Sequence, residues 1–173
     1  MLPMMPGSTT PIQPLPINLL LGTLGFYIIA RIYVLPKIGV IEPKALLLPI
    51  LLLHSFRHLG LMSLASGATY PGLPPGFAYP EALGDLVAAA LAFVTIPLVI
   101  SNHPAARPML WLFTIQGALD LVLAVGLGVA LNAAPFMGPS YWIPALIVPA
   151  LLVSHYVTVL ILLRGGTETR KAY

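Results

Sequence analysis

His54, Arg57 and His58 stand in a run of leucines, where an ionisable group is costly and normally faces a bundle interior or a watery cavity. On an α-helix each residue advances roughly 100°, so the spacing predicts that these three share one face with Leu61. Other lipid-incompatible groups occur in three further apolar segments: Asp85, then Asp120 with Gln116 one turn away, then His155 beside Ser154. Counted along their helices they fall at overlapping depths, which predicts one shared interior cluster. The candidate ligand- or cofactor-binding residues are therefore His54, Arg57, His58, Asp85, Gln116, Asp120 and His155. A guanidinium does not practically deprotonate, so a carboxylate should lie within reach of Arg57. Asp85 is the favoured partner, because the second and third segments are consecutive and antiparallel; Asp120 is the alternative.

Three kinds of chemistry suit these residue types. His54-x-x-x-His58 has the spacing that lets two imidazoles hold one metal from a single helix, and His155 would complete a three-histidine zinc site with an open position for water. With Asp120 and Ser154 as outer partners, this set is similar in outline to the three-histidine intramembrane hydrolases of the alkaline ceramidase and adiponectin-receptor superfamily. That resemblance implies zinc and hydrolysis. It lies in residue types, and the chain departs from it in helix number, five against seven, and in motif order. Alternatively, one histidine of the second segment and His155 could ligate a b-type haem, with Gly60 and the glycines of the fourth segment making room for the ring. A quinone or lipid headgroup could instead meet Arg57 and the histidines. The plainest reading is a buried ion pair that fixes helix register without chemistry. There is no phosphate-binding loop, dinucleotide fingerprint or Gly-x-Ser-x-Gly elbow, and no carboxylate pair at helical spacing is expected to form a site. The absence of cysteine excludes thiol catalysis and thiolate ligands.

The elements that must position these groups follow from composition. Of the 173 residues, 58% are hydrophobic and 8% charged; soluble domains carry roughly 25% charged residues. The expectation is an all-α integral membrane bundle with five transmembrane helices, at about 17–35, 45–65, 81–100, 109–131 and 141–163. Residues 1–16 read as an uncharged, proline-rich tail without the basic start of a secretory signal, and 164–173 as a basic tail. Residues 66–80 are rich in proline and glycine and read as a connector with aromatic anchors, or as a lid over an outer cavity.

Seven of the eight Lys and Arg residues fall at one end of the five segments, and the eighth is Arg57. The positive-inside rule then places the N-terminus outside and the C-terminus in the cytoplasm, as in a multi-pass protein of the bacterial inner membrane. The net charge of +3 is scattered, so nucleic acid is not an expected partner; membrane lipid and other membrane subunits are. The functional expectation is binding of a small amphipathic ligand or cofactor at the interior His/Arg/Asp cluster. Metal-dependent intramembrane hydrolysis is the second reading, and an accessory subunit without chemistry the third.

Overall fold

The computed structural model describes the backbone of residues 14–171 and the side chains through Arg164. Of the tail expected at residues 1–16, residues 1–13 lie outside the described residues, and Pro14–Pro16 already belong to the first helix. The described residues are 84% helical, with no strand among them. Five helices are long and apolar enough to cross a membrane: Pro14–Lys37, Pro43–Leu64, Pro75–Ile100, Ala106–Ala130 and Gly138–Arg164.

Helix α1 (Pro14–Ile29) widens into a π-turn, Ala30–Val34, before Pro36 ends it. Helix α2 (Pro43–Ser55) tightens at Phe56 into a 3-10 helix, Phe56–Leu64. Helices α3 (Pro75–Ile100) and α4 (Ala106–Ala130) are continuous. A π-turn, Ile143–Ile147, leads into α5 (Val148–Lys171). The helix therefore runs through much of the expected C-terminal tail. Span three also starts earlier than the composition suggested. Pro75 occupies its first turn, where a missing N–H leaves no bond unmade and a fixed φ favours the helix.

Helix α3 is the hub. It packs against α2, against the 3-10 segment and against α4, while α1 lies outermost on α5. Ala88, Ala89 and Ala92 give α3 a flat buried stripe that lets its neighbours approach closely. The end carrying Arg31, Lys37, Lys44, Arg107 and Arg164 is the basic end; that carrying residues 65–74 and 131–142 is the proline-rich end. Toward the basic end, Leu47, Leu51, Val99, Leu110, Phe113 and Val157 form one close-packed core. At the proline-rich end the two connections bind each other, Tyr70 N–H to Phe136 O at 2.9 Å and Ser140 N–H to Ala68 O at 3.0 Å. The 66–80 segment thus folds as a brace between connections, with its last six residues already in α3.

Candidate functional site

The tightening at Phe56 positions the site. In a 3-10 helix residues three apart eclipse one another, with about 2.0 Å rise each. His54, Arg57, Gly60 and Ser63 consequently line up along one buried edge. Three steps there advance about 6 Å, as do four steps of an ordinary α-helix. On antiparallel α3 the buried acids Glu81 and Asp85 are four residues apart, so the two edges stay in register: Ser63 meets Glu81, and Gly60 meets Asp85.

Arg57 lies in the middle of this seam and is 3% exposed. Its Nε donates to Asp85 Oδ1 at 2.7 Å, and its Nη2 sits 2.6 Å from the same oxygen. Nη2 also donates to Asp120 Oδ2 at 2.5 Å, and Nη1 to the Gly117 carbonyl at 3.1 Å. The choice between Asp85 and Asp120 posed by the sequence is thus resolved as both. One guanidinium ties the second helix to the third and the fourth. Gln116 adds a tie from α4 to α3, Nε2 to Gly84 O at 3.3 Å, while its Oε1 has no partner.

Glycines make this convergence possible. A Cβ on Gly84 would overlap the Asp120 carboxylate, and one on Gly60 would lie 2.8 Å from Asp85 Cβ. A Cβ on Gly117 would lie 2.6 Å from His155 Nε2 and 2.9 Å from Arg57 Nη1. The room that the haem reading assigned to Gly60 is taken by Asp85, and that beside Gly117 of α4 by His155 and Arg57; Gly128 faces Phe77, and a Cβ on Gly126 would meet nothing within 4 Å.

Two of the histidines come together on the basic side of the clamp. The His54 and His155 rings are 4.3 Å apart, both packed against Phe113. His54 Nε2 lies 2.8 Å from Ser154 Oγ. The Ser154 hydroxyl donates to Leu151 O, so His54 Nε2 carries the proton and donates. His54 Nδ1 and both nitrogens of His155 are buried without a partner among the described residues.

His58 does not join them. The tightened turn rotates it away from the edge shared by His54 and Arg57, and its Nδ1 donates to Ser55 O at 2.8 Å beside the exposed ring of Phe56. The expected three-histidine metal set is therefore corrected: among the described residues no group of three or more His, Asp or Glu side chains is placed to hold a metal. The bis-histidine haem reading through His54 and His155 is corrected as well. Two imidazoles holding one iron between them would each turn a nitrogen toward it from opposite sides, whereas the His54 and His155 rings lie against each other at 4.3 Å, with no room between them for a metal and its macrocycle.

Glu81 was not among the candidates, although it opens the expected third span. The longer α3 places it one and a half turns inside, 9% exposed, with Oε2 buried and without a partner among the described residues. The signal was present as Glu81-x-x-x-Asp85, two carboxylates on one helical face. Glu81 and Ser63 form the polar floor of a cavity of about 370 Å³ at the proline-rich end. Its walls are otherwise mainly apolar, from α1, α4 and α5, including Leu19, Val125 and Val148. Leu20 of α1 and Val129 of α4 line its rim and are about 70% exposed, so the cavity opens sideways between those helices.

Residues 14–163 match the family described as a domain of unknown function, DUF8737, and the chain belongs to that family. No curated protein and no solved structure matches the chain.

Proposed function

We propose that this member of the DUF8737 family is a five-span membrane protein that takes a small amphipathic ligand from the bilayer into the cavity above the Arg57 clamp. The carrying observation is the cavity itself: apolar walls, a lateral opening, and one buried carboxyl oxygen on its floor without a partner. Sites for small ligands are typically apolar clefts of about 300–1,000 Å³ with few polar groups. A lateral mouth suits a molecule dissolved in lipid. The broad apolar exterior supports the membrane reading, with Leu20, Leu119, Val122 and Val129 more than 60% exposed. The basic end faces the cytoplasm by the positive-inside rule, which puts the N-terminus and the cavity on the outer side. The bundle acts as one domain in the cell membrane.

A photoactivatable decyl probe tests the ligand reading. Labelling of protein in nanodiscs should saturate and map to the cavity walls on α1, α4 and α5, and Ala124→Phe should abolish it. Diffuse, non-saturating labelling of the outer surface would refute the site. Orientation has its own test, which the cysteine-free chain makes clean. A cysteine at Pro74 should react with an impermeant thiol reagent in intact cells, and one at Ala105 should not. The opposite pattern would invert the topology.

A further inference from the structure

The ligand reading leaves the polar end of the ligand open, and the charges around the floor specify it. We infer that the cavity binds a lipophilic ammonium ion, with the cationic nitrogen on the unpaired oxygen of Glu81 and the alkyl part against the apolar walls.

The inference rests on a charge count and on geometry. Three of the chain's five acidic residues, Glu81, Asp85 and Asp120, are buried together around one arginine. Arg57 has all three of its nitrogens engaged, on Asp85, Asp120 and Gly117 O, and has none directed at Glu81. Facing the Glu81 carboxyl are Asp85 on its own helix, Asp120 on α4, and Arg57 with Ser63 on the 3-10 segment. The walls supplied by α1 and α5 carry no titratable side chain among the residues lining the cavity. With all three carboxyls ionised the cluster would be two positive charges short, and Glu81 is the one of the three on which Arg57 places no nitrogen.

A buried carboxyl oxygen with no donor is unfavourable, and a buried uncompensated charge much more so. Two things can supply the balance: a proton on the carboxyl, or a cation from the cavity. An alcohol would satisfy the hydrogen bond and leave the charge. An ammonium group satisfies both, and its chain gains roughly 0.8 kcal/mol per methylene removed from water. Exchange of the two is balanced as written: the protonated carboxyl gives its proton to water, the ammonium takes its place, and no other bond changes. Binding should thus release a proton to the outer side.

The inference rests on the cavity reading above, and the test separates them. Tritiated decylamine, as its ammonium, and tritiated decanol would be titrated against the full chain in phosphatidylcholine nanodiscs by scintillation proximity at pH 7. The ammonium should bind saturably and more tightly than the alcohol by on the order of tenfold, equivalent to ~1.4 kcal/mol. About one proton should appear in weakly buffered medium for each amine bound. Glu81→Gln should lower the amine to the alcohol's affinity, and Glu81→Asp should keep the preference, which also shows that loss in the glutamine variant is not misfolding. Equal affinities of amine and alcohol in the unmodified protein, or an amine preference that survives Glu81→Gln, would overturn the charge inference while saturable alcohol binding upholds the cavity. Failure of both probes to saturate would overturn the cavity reading itself, and the inference with it.

Discussion

The Arg57 clamp and the Glu81 floor are neighbouring buried polar groups that share the second and third helices, the clamp reaching the fourth as well, and they are finished differently. Every nitrogen of Arg57 has an acceptor, and each of its carboxylate partners has a glycine cleared for it. Glu81 has a serine beside it, an apolar cavity above it and an oxygen with no partner. A satisfied network in low dielectric fixes helix register and is destabilising to break. An unsatisfied group held beside an open space contributes little to the fold, and on the function proposed above a ligand supplies its partner. On that proposal the clamp is architecture and the floor is where the ligand binds.

The largest expected effect comes from removing the shared cation. Arg57→Met strands two carboxylates and should destabilise the bundle by ~3–5 kcal/mol in a denaturant titration. Because the arginine serves both acids, Asp85→Asn and Asp120→Asn should each restore part of the loss, and the two together more than either. Complete rescue by one alone would show that the other contact carries no energy. Next in size, Gly84→Ala drives a methyl into the Asp120 carboxylate and should cost ~1–3 kcal/mol, as overpacked sites do. The same substitution at Gly126, where a Cβ meets nothing within 4 Å, should be nearly silent. The smallest effect should be that of His58→Ala, within about 0.5 kcal/mol, because that ring contacts its own turn and the exposed Phe56. A loss comparable to that of His54→Ala would mean that His58 belongs to the buried set after all.

The five apolar helices were legible in the sequence because length and apolarity alone define them. So was the convergence of Asp85, Asp120, Arg57, His54 and His155, since depth counting needs only the rise per residue. What failed was angular. A wheel of 100° per residue put His58 beside His54, whereas the chain turns about 120° per residue from Phe56 onward. The clue was a three-residue repeat, His54, Arg57, Gly60, Ser63, facing a four-residue spacing, Glu81 and Asp85. Read against an α-helical wheel, that repeat drifts around the helix and shows no common face. Glu81 was missed for a related reason: Pro75, Gly76 and Pro80 look like a loop, yet Pro75 sits in the first turn of α3, where the first N–H groups have no intrahelical acceptor, and Pro80 is accommodated inside the helix. The cavity had no signature in the chain, because its walls are residues that would equally well fill a core.

The division between clamp and floor is tested most directly by comparing two isosteric changes on one stability scale. Asp120→Asn and Glu81→Gln each replace a buried carboxylate by an amide, and their unfolding free energies in bicelles can be measured side by side by SDS titration. Asp120→Asn should lose ~1.5–3 kcal/mol, the usual worth of a charge-assisted hydrogen bond. Glu81→Gln should stay within about 0.5 kcal/mol of the unmodified protein. A loss at Glu81 as large as that at Asp120 would make Glu81 a structural partner of the clamp and contradict the account.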